Sequence, residues 1–189
     1  MIYGISGKMG SGKDTVGKII FDYIYPKGSV IHFADPLKQF CIDYLGLSFE
    51  DVYTEQGKKE FNQLWNMTNR SVLQKVGTDA LRNGFDKDVW VKITELKIKQ
   101  HKNTDFIIPD IRFDNEAEMV LKNGGIVLNI ERESANKDEH VSEQGISKHL
   151  ISKNILNNGT IEELKEKVLK EIKKWKISNV VLKNENTPL

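Results

Sequence analysis

The chain has 189 residues, 29% of them charged, with a formal net charge of +1 at neutral pH. That size suits one α/β domain with a sizeable core, and the near balance of charge excludes a protein held mainly by a nucleic-acid backbone, which would carry a strong basic excess. One cysteine, Cys41, permits no intrachain disulfide; no apolar run is long enough to span a bilayer, and MIYGISG lacks the features of a secretory leader, so a cytoplasmic protein with no membrane partner is expected.

Residues 2–6 form a short apolar run that reads as a buried strand, and a glycine-rich loop follows. Residues 13–25 read as a helix with Val16, Ile19, Ile20 and Tyr23 on one face, closed by Pro26 and Gly28. SVIHF, residues 29–33, predicts a second strand, and Pro36 suits the first turn of a helix that Gly46 ends. Between Leu47 and Asn69 the pattern supports only short helices. Residues 70–83 and 88–100 return to helical spacing, the first through Val72, Leu73, Val76, Ala80 and Leu81, the second through Val89, Ile93 and Leu96. DFIIPD, residues 105–110, predicts a third strand; residues 115–122 a helix stopped by Gly124 and Gly125; and IVLNI, residues 126–130, a fourth strand.

Residues 132–149 are polar and poor in large apolar side chains, a surface excursion expected to act as a lid. Residues 150–155 predict a weaker fifth strand. Thr160 and Glu163 form a capping box for a long last helix, whose expected buried stripe is Ile161, Leu164, Val168, Ile172 and Trp175. Strands alternating with helices predict a three-layer α/β/α fold on a mostly parallel sheet of about five strands, and Gly-Lys at residues 12–13, closing the glycine-rich loop after the first strand, makes it a P-loop fold. No linker divides the chain, so one domain spanning 1–189 is expected, with an insertion at 35–91 for a second substrate. In such sheets sites form beyond the carboxyl ends of the strands, here after Ser6, Phe33, Ile108, Ile130 and Ile155.

Gly7-Lys8-Met9-Gly10-Ser11-Gly12-Lys13 satisfies G-x-x-x-x-G-K after a strand and at the start of a helix. The glycines let backbone N–H groups converge on phosphate oxygens, the helix adds its positive end, and Lys13 supplies a cation for the β- and γ-phosphates. A hydroxyl usually follows that lysine to hold magnesium; here Asp14 stands in its place and Thr15 comes one residue late. A carboxylate is itself a hard oxygen ligand, so Asp14 either contacts the metal or caps the helix. Thr15 is placed to bond an α-phosphate.

For a second substrate the insertion offers Lys38 and Arg70; Arg70 reads either as a phosphate clamp or as a solvated surface arginine. Asp110 and Arg112 emerge at a strand end beside the phosphate loop, either as site residues holding magnesium and the acceptor phosphate or as a structural ion pair. Arg132 is expected to touch the base or phosphates of ATP, with His140 and Glu143 as further lid candidates. Asn157 stands either at a base-binding turn or at a plain turn.

GKMGSGKDT, ADPLK, NRSVLQKVGTDALRNGFDKDVWVK, FIIPDIRFDNEAE, IVLNIER, DEHVSEQGI and ILNNGTIEEL together resemble the deoxynucleoside monophosphate kinases of tailed bacteriophages. The resemblance runs from the first strand to the last helix and includes the SGKDT form of the loop. It implies transfer of the γ-phosphoryl of ATP to a deoxynucleoside 5′-monophosphate, with magnesium as cofactor, in the cytoplasm of a phage-infected bacterium. ATP and the monophosphate are then the partners, with no nucleic acid, and a homodimer is left open. Carried over by motif, Lys13 binds ATP phosphates, Arg70, Asp110 and Arg112 line the acceptor side, and Arg132 marks the lid hinge, while Asp79 and Trp90 fall in the family-like run. Phosphomevalonate kinases of the animal type also share SGKD, a PLK segment and a D-x-R strand end, which makes them the alternative. A third reading is a nucleotide sensor that transfers nothing.

Overall fold

The computed structural model describes residues 1–133 and 145–185, with side chains described up to residue 178 in the second stretch. In chain order the first elements are β1 (Ile2–Ser6), α1 (Lys13–Ile24), β2 (Gly28–Val30), α2 (Asp35–Leu45), α3 (Phe49–Tyr53), α4 (Glu55–Lys59), β3 (Phe61–Asn62) and β4 (Met67–Thr68). They are followed by α5 (Asn69–Gln74), a π-helix (Lys75–Asn83), α6 (Val89–Gln100), β5 (Asp105–Ile111), α7 (Asp114–Lys122), β6 (Ile126–Glu131), a 3₁₀ turn (Lys148–Leu150), β7 (Lys153–Leu156) and α8 (Ile161–Glu185). The chain divides into two compact units, Met1–Ile31 with Lys102–Leu189, and His32–His101.

The first unit is built on a sheet in the order β2-β5-β1-β6-β7, every pairing parallel. All five residues of β1 are buried, as a strand covered on both faces requires. Tyr3 and Ile5 project to the face covered by Val16, Ile19 and Ile20 of α1 and Leu164, Val168 and Ile172 of α8. Gly4 faces the other way, where an added Cβ would run into Ile111 and Val120, so this glycine lets α7 lie close on the second face. The order reverses at β1, which has β5 on one side and β6 on the other, and the glycine loop leaves from that switch point.

Three predicted elements come out differently in this unit. The second strand stops at Val30; Ile31 still donates to Ile107 at 2.9 Å, and then Asp35 Oδ2 accepts from the His32 N–H at 2.8 Å and turns the chain. The last strand starts at Lys153, because residues 148–150 close a 3₁₀ turn first. Ile161, expected in the buried stripe of α8, is 64% exposed in the helix's first turn.

The second unit packs its helices around Cys41, Leu47, Val52 and Val72, with the small antiparallel β3–β4 ribbon at its side. Burial pushes the Cys41 thiol up to about 11, as expected of a packing residue rather than a reactive one. The helix predicted over 70–83 is split, with α5 giving way to nine residues of π-helix. Along α6 the buried residues are Val89, Trp90, Val91 and Thr94, leaving the expected Ile93 38% and Leu96 60% exposed. Among the described residues no helix is long and apolar enough to cross a membrane.

Candidate active site

The loop after β1 curls because Gly10 and Gly12 adopt φ of 79° and 100°, a region that side-chain-bearing residues rarely enter. Gly12 caps α1 and no side chain caps that helix end, which leaves its N-terminal amides as anion donors. Lys13 Nζ folds back onto the carbonyls of Gly7 at 2.5 Å and Lys8 at 2.9 Å, so the ammonium is held inside the loop where phosphate oxygens would compete for it. The Ser11 hydroxyl is buried with no hydrogen-bond partner among the described residues, the sort of unmet polar group that functional loops retain.

A cavity of about 800 Å³ opens beside this loop, entirely within the first unit. It reaches from Gly7 and Lys13 across the carboxyl ends of β5 and β6 to the segment 145–151. Five cations line it (Lys8, Lys13, Arg112, Arg132 and Lys148) against two carboxylates, Glu131 and Glu133. A concave site with that excess of positive charge is complementary to a polyphosphate. Asn129 on β6 donates to Asn154 on β7 at 2.9 Å and to Glu131 at 3.1 Å, giving the cavity a polar floor.

Arg112 is the first residue after β5 and Arg132 the first after β6; both are exposed in this cavity, as the strand-end argument required. Asp110 is half-buried on β5, two residues before Arg112. Sequence reasoning missed Glu116. It is 4% exposed, and its Oε2 accepts from the backbone N–H of Arg112 at 2.9 Å and of Phe113 at 3.2 Å, fixing the turn that carries Arg112. The signal was present as an acid at the third position of α7, where a carboxylate reaches back to cap the helix start.

Asp14 lies exposed in the first turn of α1, and no hydrogen bond engages its carboxylate among the described residues, so it does not serve as the helix cap. Thr15 is half-buried on the same helix. One residue further round the helix, by about 100°, it lines a separate groove with Lys18 and Leu169 rather than the phosphate cavity. Asn157 is buried, and its amide donates to the Ser11 carbonyl at 2.8 Å, so the side chain braces the loop.

Among the described residues no group of three or more His, Cys, Asp or Glu is placed to hold a metal ion. Magnesium characteristically takes only one or two carboxylates, with phosphates and water completing its shell. A solvent-facing Asp14 and a strand-end Asp110 fit that mode and would not make an all-protein cage.

In the second unit, Arg70 Nη2 pairs with Glu55 at 2.8 Å, and that carboxylate is 72% exposed. Glu55 is held below its usual range, first by the Lys58 hydrogen bond and then by the Arg70 charge. Lys38 lies over the Tyr53 ring at 4.3 Å, and Asp79 is exposed on the π-helix. Trp90 is 7% exposed and its indole N–H donates to the Gly77 carbonyl at 3.0 Å, committing it to the packing of this unit. His140 and Glu143 lie outside the described residues.

The family model for deoxynucleotide monophosphate kinase matches residues 47–168. A protein of Acanthamoeba polyphaga mimivirus, provisionally named a deoxynucleotide monophosphate kinase, is 32% identical over 187 residues, covering 89% of this chain and 94% of its own length. The deoxynucleoside-5′-monophosphate kinase of Escherichia phage T5 is 24% identical over 83% of this chain and 89% of its own. The deoxynucleotide monophosphate kinase of Enterobacteria phage T4 is 29% identical, with the match covering 65% of this chain and 58% of that one. Among solved structures, dephospho-CoA kinase from Campylobacter jejuni superposes with a TM-score of 0.51 at 17% identity, over 94% of this chain and 98% of that one, which is a likeness of fold.

Proposed function

Because the chain belongs to the deoxynucleotide monophosphate kinase family, we propose that it phosphorylates deoxynucleoside 5′-monophosphates with ATP. The chain is an enzyme, and the reaction moves the γ-phosphoryl group of ATP onto the acceptor's 5′-phosphate, giving ADP and a deoxynucleoside diphosphate. The observation that carries this reading is the cationic cavity opening from a glycine-rich loop at the switch point of a parallel sheet.

The loop amides and the start of α1 cradle the triphosphate. Lys13 leaves the Gly7 and Lys8 carbonyls for the β- and γ-oxygens. Arg112 and Arg132 face the same cavity and spread positive charge over the transferring group. The acceptor phosphate already presents an anionic oxygen, so no strong general base is needed and catalysis rests on positioning and charge neutralisation. Asp14 and Asp110 would hold magnesium, whose charge would offset that of the phosphates. We assign Arg70 to the acceptor phosphate. Its present partner is an exposed carboxylate, and such pairs contribute only about 0–1 kcal/mol, so a phosphate dianion displaces it at little cost. Both nucleotides are metabolites of the cytoplasm, where we place the enzyme.

The test is ADP release with magnesium-ATP and a panel of dNMPs, NMPs and mevalonate 5-phosphate. Release stimulated by dNMPs supports the reading. Stimulation by mevalonate 5-phosphate alone, or by no acceptor, overturns it.

A further inference from the structure

Two hydrogen bonds tie the start of α7 to the segment 145–151 that lines the cavity. The Ser147 backbone N–H donates to Asp114 Oδ1 at 2.8 Å, and the Ser147 hydroxyl donates to Oδ2 at 2.6 Å. Both oxygens of one carboxylate are therefore spent on one residue 33 positions away in sequence. On either side of Ser147 stand two cavity-lining residues, Ile146, 8% exposed, and Lys148. Ile146 anchors the segment by burial, and Lys148 is an exposed cation whose ammonium makes no hydrogen bond or ion pair among the described residues. Asp114 lies two residues beyond Arg112, so one short stretch carries a cation into the cavity and sets the position of another.

We propose that Lys148 binds the phosphate chain of the nucleotide donor and that Asp114 is a positioning residue which holds Lys148 at the cavity through Ser147. This deepens the kinase reading and rests on it. The donor is the ligand because Lys148 shares its cavity with Lys8 and Lys13 of the phosphate loop. A long ammonium side chain on a free-standing loop would lose much rotamer freedom on binding. A segment already fixed by two charge-assisted hydrogen bonds removes the backbone part of that loss.

The experiment uses the full chain and compares wild type with Lys148→Gln, Lys148→Arg, Asp114→Ala, Ser147→Ala and the double variant Asp114→Ala/Lys148→Gln. Magnesium-ATP binding is measured by calorimetry, and KM and kcat by ADP release. Lys148→Gln is expected to weaken ATP binding about tenfold, to leave KM for the dNMP within about twofold, and to be rescued by Lys148→Arg. Asp114→Ala should give part of that loss, Ser147→Ala less, and the double variant no more than Lys148→Gln alone, since Asp114 acts through Lys148. Unchanged ATP affinity in Lys148→Gln overturns the proposal, as do additive losses in the double variant. If Asp114→Ala melts early, Ser147→Ala, which keeps the backbone bond, takes its place in the cycle. A wild-type enzyme that binds ATP and phosphorylates no dNMP would sink the kinase reading, and the calorimetric comparison would still decide the role of Lys148.

Discussion

The Asn157 side-chain amide donates to the Ser11 carbonyl at 2.8 Å, joining the turn after β7 to the phosphate loop across 146 residues of chain. Gly12 sits so close to that amide that an added Cβ would collide with it. The loop's curvature is thus held from outside as well as by its own glycines. Asn157→Ala removes one buried hydrogen bond, a change of about 1–2 kcal/mol. It should raise KM for ATP roughly tenfold while KM for the acceptor stays put. Steady-state kinetics in both substrates will decide, and an unchanged ATP constant would leave Asn157 as an ordinary turn residue.

Lys13 lines the cavity from the loop and Arg112 from the end of β5, and the proposed mechanism has both act on the transferring phosphoryl group. Lys13→Ala and Arg112→Ala should each lower kcat by about 10²–10³, with thermal melting close to wild type because neither side chain is buried. Turnover at the wild-type rate in either variant removes that residue from the mechanism.

Glu116 predicts a different pattern. Its buried carboxylate caps α7 and fixes the Arg112 turn, so Glu116→Ala leaves two backbone donors unmet. Urea unfolding should show a loss of about 2–3 kcal/mol, and the surviving activity should fall as well because Arg112 is no longer held in register. A variant with full stability and reduced turnover would mean that Glu116 works directly on substrate.

Asp114 makes stability depend on pH. The Ser147 hydroxyl, then the Ser147 N–H and the charge of His149, hold its carboxyl below the usual carboxylate range. A depressed folded value contributes stability that is present above the unfolded value, about 3.9, and is lost as pH falls through the folded one. Wild type should therefore exceed Asp114→Asn in urea unfolding from neutrality down to about pH 5, and the margin should shrink in more acid buffer. A margin independent of pH would show that the ionised form is not what the Ser147 bonds favour.

The elements that position the site were legible because their signals are local and redundant. β1, β5 and β6 are apolar runs bounded by glycine or charge, and the structure ends them within a residue of expectation. The loop glycines, Lys13, Arg112 and Arg132 follow from motif and strand-end position alone. What stayed hidden depends on partners distant in the chain. Nothing in the sequence near Asn157 points to Ser11, and nothing near Asp114 points to Ser147. The π-helix escaped notice because Val72, Val76 and Ala80 fit a 3.6-residue period as well as a wider one. The exposed Ile93 shows that a stripe read from apolar spacing can face the wrong way when Trp90 and Thr94 take the interior.

The most direct test is phosphorus NMR of the purified chain with magnesium-ATP and a mixture of the four deoxynucleoside monophosphates. The account predicts that deoxynucleoside diphosphate resonances grow in step with ADP, and that neither grows with Lys13→Ala. ADP and free phosphate appearing without any diphosphate product would mean that water is the acceptor, and would contradict it.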